Sequence, residues 1–164
     1  MSSEAQWTAV DEYFTRMLHP PDPALDAALA ASAKAGLPPI HVTPNQGKLL
    51  HLMARMCAPR RILEIGTLGG YSTIWLARAL PPGGSLVTLE VDDKHAAVAR
   101  ENLERAGVGG VAEVIVGPAI ETLPRLAAAG REPFDFIFID ADKARIADYF
   151  AWSLRLSRVG TVIV

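Results

Sequence analysis

The chain has 164 residues, half of them hydrophobic, with a formal net charge of −2 and a single cysteine. That length suits one domain with a real core, and the charge gives no reason to expect a nucleic acid or an anionic membrane as partner. One cysteine excludes an internal disulfide and a cysteine-rich metal site. The lack of a leader-like start or a long apolar run makes a cytoplasmic protein the default.

Trp7, Val10, Phe14, Met17 and Leu18 recur at helical spacing, which predicts an amphipathic helix over residues 4–18 whose apolar stripe could face the core or a partner subunit. Pro20-Pro21 ends it. Asp22 as N-cap and Pro23 at the first helical position open an alanine-rich helix that Gly36 stops. Thr43 followed three residues later by Gln46 reads as a capping box. The helix it starts carries Leu49, Leu50, Leu52, Met53 and Met56 and ends before Pro59, with Cys57 expected on its apolar face as an inert buried thiol.

From Arg61 onward the pattern becomes regular. Strands are predicted over residues 62–65, 85–90, 112–116, 134–140 and 161–164, alternating with helices over 71–80, 93–106, 120–129 and 144–156. Strands alternating with helices of this length indicate an α/β domain, a doubly wound, mostly parallel sheet with helices on both faces. Residues 1–58 would add helices to a core built from residues 59–164. The chain stops inside the β-branched run Gly160-Thr161-Val162-Ile163-Val164, so the natural sequence is expected to continue.

Ligands of an open parallel sheet bind outside the carboxyl ends of its strands, and those ends are chemically loaded here. The first runs from Glu64 into Gly66-Thr67-Leu68-Gly69-Gly70, a turn with open backbone before a helix. Leu68 stands where a dinucleotide turn requires glycine, and no Gly-Lys-Ser/Thr follows, so the turn suits an adenosine ligand without a phosphate chain. Taken alone it could also be an ordinary tight turn. Glu90 closes the second strand, where a carboxylate can accept hydrogen bonds from ribose hydroxyls. Asp92 and Asp93 read as helix-start charges. Asp140, Asp142 and Lys143 follow the most apolar strand. They suit either a hard divalent ion beside a general base, or a local Asp–Lys pair with a helix cap. Tyr71 and Trp75 are expected in the core or lining a site. The four histidines show no ligand spacing.

The segments Leu63–Ser72, Glu90, Gly117-Pro118-Ala119 and Phe136–Lys143, with the Gln46-Gly47 helix start, together resemble the cation-dependent class I O-methyltransferases that use S-adenosylmethionine. That group contains the catechol and caffeoyl-CoA enzymes and small bacterial relatives. The resemblance covers about residues 40–164 and implies a Rossmann-like methyltransferase fold whose last strands are missing here. It implies that Val42, Glu64, Gly66, Thr67 and Ser72 contact the methionine part of the cofactor, with Gly70 in the same turn. It assigns Glu90 to the ribose, Ala119 to the adenine, Asp142 to the cofactor side, and Asp140 to both cofactor and metal. Lys143 matches the catalytic base, and Asp140 would act with it at the reacting oxygen. The implied reaction is methyl transfer to a hydroxyl of a small catechol-like or phenolic acceptor, assisted by a divalent cation, Mg²⁺ first. The family's Asp-Asn pair that completes the metal site would fall just after Val164. Members are commonly homodimers, and the Trp7–Leu18 stripe could serve that contact. The rivals are a nicotinamide-dependent oxidoreductase, against which Leu68 argues, and a non-catalytic cofactor-binding or dimerisation module. An N-methyltransferase lacks support because no Asn/Asp-Pro-Pro-Tyr segment stands after the fourth strand.

Overall fold

Local capping chemistry sets where the N-terminal helices begin. In the computed structural model, which describes residues 3–130 and 132–164, α1 spans Ser3–Leu18, α2 Pro23–Lys34 and α3 Pro44–Cys57. The Asp22 carboxylate accepts the Ala24 and Leu25 N–H groups at the start of α2. The capping box at Thr43 is complete: Gln46 N–H donates to the Thr43 hydroxyl, and Thr43 N–H donates to the Gln46 side chain. Among the described residues no helix is long and apolar enough to cross a membrane.

The remainder alternates as expected. It runs β1 Arg61–Ile65, α4 Tyr71–Ala77, β2 Ser85–Glu90, α5 Asp93–Arg105, β3 Ala112–Val116, α6 Ala119–Ala128, β4 Phe134–Ile139, α7 Ile146–Arg155 and β5 Ser157–Ile163. All neighbouring strands pair in parallel, in the order β3-β2-β1-β4-β5. Successive strand residues face opposite sides of the sheet, so two apolar layers form. Ile62, Leu86, Phe136 and Phe138 pack with Leu50, Ile74, Trp75 and Leu103 on one face. Leu63, Ile65, Val87, Leu89 and Ile137 pack with Leu123, Leu126, Tyr149 and Leu156 on the other.

Several boundaries differ from the expectations. α4 ends at Ala77, three residues early, because Ala79 and Leu80 donate to Leu76 and Ala77 in a tighter turn ahead of Pro81. A short 3₁₀ turn, Lys143–Arg145, precedes α7, and β5 begins at Ser157 rather than at 161. Cys57 is exposed, not buried. It lies in the last turn of α3, beyond Ala54, the last residue that helix buries.

Candidate functional site

The chain builds β1, β2 and β3 outward in one direction and then returns to lay β4 on the other side of β1. This reversal is a topological switch point, and a crevice opens there at the carboxyl ends of the strands. A cleft of about 890 Å³ occupies it. Of the residues singled out from the sequence, Val42, Gly66, Thr67, Ser72, Glu90, Ala119, Asp140, Asp142 and Lys143 all line this one cleft. The segment before α3 closes it from above through Ile40, His41 and Val42.

The glycine turn sits tightly against β4. Asp140 N–H donates to the carbonyl of Ile65 at 2.9 Å. Gly66 has φ +101°, and a Cβ built on it would run into the carbonyl group of Asp140, 2.8 Å from its carbon. No side chain fits there. Leu68, the residue that argues against a dinucleotide turn, also takes a left-handed backbone at φ 51°. Its N–H donates to Glu90.

Glu90 clamps this turn. Its Oε2 accepts the N–H groups of Thr67 at 3.3 Å and Leu68 at 2.7 Å. Its Oε1 accepts those of Val91 at 2.9 Å and Asp92 at 3.0 Å. Replacing Glu90 with Gln would turn an NH₂ group toward two of those donors. The Glu90→Gln variant is expected to lose about 2 kcal/mol of stability with no ligand present, the scale of hydrogen bonds to a charged group. Thermal melts check this, and an unchanged melting temperature would show that the carboxylate does not hold the turn.

Glu64 and Gly70 lie behind the cleft rather than on its wall. Glu64 is fully buried on the face of β1 that meets α4. Its carboxylate accepts the hydroxyls of Ser72, Thr73 and Thr88, and Thr88 in turn meets the Thr67 hydroxyl. Burial pushes its pKa up to about 7, although the Thr73, Ser72 and Thr88 hydroxyls pull downward; the nearby charge of Asp140 adds to the rise. Through Ser72 and Thr67 this buried acid holds two groups that do reach the cleft. Gly70 caps α4 in a left-handed conformation, facing Ala99 of α5.

At the other end, Lys143 Nζ donates to Asp140 Oδ1 at 3.1 Å. The Tyr149 hydroxyl donates to Asp142 Oδ1. Burial, that hydrogen bond and the Asp142 charge push the Tyr149 pKa up to about 12. Among the described residues no three His, Cys, Asp or Glu side chains group together as a metal site. Asp140 and Asp142 are engaged with Lys143 and Tyr149, so these side chains alone do not form a cation cage.

Among the lining residues not singled out as site residues from the sequence are His41, His95 and Tyr149. Tyr149 could have been found from the sequence, seven positions after Asp142 on the helix that follows. The histidines carry no ligand spacing, and only the fold brings them to the cleft.

Comparison with known proteins gives a consistent set of relatives. A family profile described as O-methyltransferase matches residues 21–164. A catechol O-methyltransferase of Niastella koreensis is 55% identical over 156 residues, which span 95% of this chain and 71% of that protein. A catechol O-methyltransferase of Mycobacterium tuberculosis is 57% identical over 155 residues, covering 94% and 69%. The structure of an O-methyltransferase from Bacillus cereus in complex with SAH matches with a TM-score of 0.95 at 53% identity, over 97% of this chain and 72% of that one. An O-methyltransferase from Streptomyces achromogenes involved in tomaymycin synthesis, in complex with SAM, matches with a TM-score of 0.91 at 50% identity, covering 96% and 71%.

Proposed function

The chain belongs to the O-methyltransferase family, whose members depend on S-adenosylmethionine, and from that premise we propose that it methylates a hydroxyl of a small catechol-like or phenolic acceptor. One observation carries the reading: residues from four separate strand ends converge on one cleft at the switch point. Val42, Gly66, Thr67 and Ser72 would take the methionine part, Glu90 the ribose, and the backbone at Ala119 the adenine. Glu64 and Gly70 would support the turn from behind. Asp140 and Asp142 would stand where the cofactor meets the acceptor.

In the transfer, an acceptor oxygen forms a bond to the methyl carbon while the carbon–sulfur bond breaks. The electron pair of that bond stays on sulfur, and S-adenosylhomocysteine leaves as a thioether. The acceptor proton passes to the lone pair of Lys143, which must stand at the site as the neutral amine to take it, while one of its own N–H groups donates to Asp140 at 3.1 Å. The three reacting atoms must lie in line, so much of the acceleration would come from two ligands held rigidly in one cleft. Mg²⁺ belongs to the same proposal and is supported in this chain by the Asp140 carboxylate alone. A bound divalent cation would lower the pKa of the acceptor hydroxyl. The enzyme would act in the cytoplasm as a homodimer; exposed Trp7, Phe14 and Met17 on α1 and Leu52 and Met56 on α3 support the dimer.

Calorimetric titration tests the cofactor, and a radiolabelled methyl assay on a dihydroxyphenol tests the reaction. Binding of S-adenosylhomocysteine and none of NADH is expected; the reverse would overturn the reading. Equal transfer with Mg²⁺ and with EDTA would remove the cation from it. Light scattering on the eluted protein decides the dimer.

A further inference from the structure

α5 buries a single polar residue. Along its inward face Ala96, Ala99 and Leu103 are apolar, and Asn102 is fully buried among them. A buried amide is costly unless it is bonded. The Asn102 Nδ2 donates to the Gly69 carbonyl at 2.8 Å and to the Ala28 carbonyl at 3.3 Å, and its Oδ1 accepts from Arg105 Nη1 at 2.6 Å. The carbonyls can only accept and the guanidinium can only donate, which fixes the orientation of the amide. Gly69 lies in the glycine turn and Ala28 in α2, so one side chain ties the two together. The seam between them is tight. A Cβ on Gly69 would run into Ser32 of α2, whose Oγ donates to the same Ala28 carbonyl at 2.8 Å. Just past α2, Leu37 is buried against Gly69, and its N–H donates to the Ser32 carbonyl at 3.0 Å.

From Leu37 the chain runs on through Pro38, Ile40, His41 and Val42, which line the cleft, to the capping box that starts α3. This strap lies over the cleft between two anchors, Thr43 at one end and the seam at Gly69 at the other. We propose that Asn102 is a positioning residue for the cofactor: it locks α2 to the glycine turn and so keeps the strap closed over the methionine part, between Val42 and the turn. This rests on the reading of the cleft as the S-adenosylmethionine site. Apolar contacts alone would let α2 slide along the turn. With Asn102 in place, any such shift leaves a buried carbonyl or amide hydrogen unpaired. Asn102 stands behind the cleft wall and acts only through the two carbonyls it holds.

The test is the rate of ligand release from the immobilised chain, measured by surface plasmon resonance at a temperature where every variant is folded. Two ligands are compared: S-adenosylhomocysteine, and 5′-methylthioadenosine, which lacks the amino-acid part. Asn102→Leu should release S-adenosylhomocysteine about tenfold faster, the scale of one lost hydrogen bond, and release methylthioadenosine at the wild-type rate. Arg105→Ala, which leaves both carbonyl bonds in place, should behave as wild type. Equal acceleration for both ligands is what general damage to the fold would give, and it overturns the proposal; so does no acceleration, or an Arg105→Ala effect as large as that of Asn102→Leu. Hydrogen exchange on the wild-type chain needs no variant to fold. S-adenosylhomocysteine should slow exchange in α2 together with the glycine turn, and slowing in the turn alone overturns the coupling. If the wild-type chain binds neither ligand, the cofactor reading fails before Asn102 is in question.

Discussion

Gly66→Ala is expected to destabilise the chain by about 4 kcal/mol and to abolish cofactor binding. Two costs combine. A residue with a side chain at φ +101° is strained by roughly 1–3 kcal/mol. Its Cβ would also collide with the carbonyl group of Asp140, which belongs to the backbone at the end of β4 and cannot rotate away. Overpacking of this kind adds roughly 1–3 kcal/mol. Relieving the clash would push β4 from β1 at the point where both feed the cleft. Gly70→Ala is the natural control. There φ is +80°, but the added Cβ meets Ala99 at 3.4 Å, an ordinary contact, so only the backbone strain remains. Urea unfolding of both variants separates the two costs. If Gly66→Ala is no more damaging than Gly70→Ala, the close approach of β1 and β4 is not what requires glycine.

Glu64→Gln is expected to change the way stability depends on pH. Folding raises the Glu64 pKa from 4.5 to about 7, so the folded chain holds a proton that the unfolded chain releases. Stability from this group is complete below pH 4.5, where both states are protonated. It declines as the pH rises and is gone once the pH passes about 7. The shift corresponds to about 3 kcal/mol between those limits. A glutamine keeps the shape and hydrogen bonds of the neutral acid without titrating; the hydroxyls of Ser72, Thr73 and Thr88 can turn to suit its amide. Relative to wild type, the variant should therefore gain stability from pH 5 to pH 8. Denaturant titrations of both proteins across that range measure the difference directly. Parallel profiles would mean that Glu64 does not hold its proton in the folded chain.

What could be read from the sequence was mostly what depends on near neighbours or on the order of elements. Asp22, Thr43 with Gln46, and Asp92 announce helix starts because the donors they accept lie two or three residues away. The alternation of strands and helices then fixes a parallel sheet, and the strand-end rule directs attention to Glu90 and Asp140. The rest depends on partners distant in the chain. The early start of β5 follows from its pairing with β4, where the register slips between Phe134 and Phe136. Cys57 sits on an apolar stripe that outlasts the helix's contact with the core. Glu64 looks from sequence like a cofactor contact, yet its place in the row with Ile62 turns it toward α4 and seals it under three hydroxyls.

The strand order also bears on how the cleft comes into being during folding. Ile62 of β1 pairs with Leu86 across a single intervening helix, but with Phe136 only after three helices have been laid down. Closing the longer loop costs more chain entropy, and contacts between distant segments form slowly. The half of the cleft made by the glycine turn, Glu90 and His95 comes from one continuous stretch and can take shape with β1 and β2. The half that carries Asp140 and Lys143 must wait for β4 to dock. On this order of events, the adenosine half can form before the reacting end, and β4 docking against Gly66 is the step that makes the site whole.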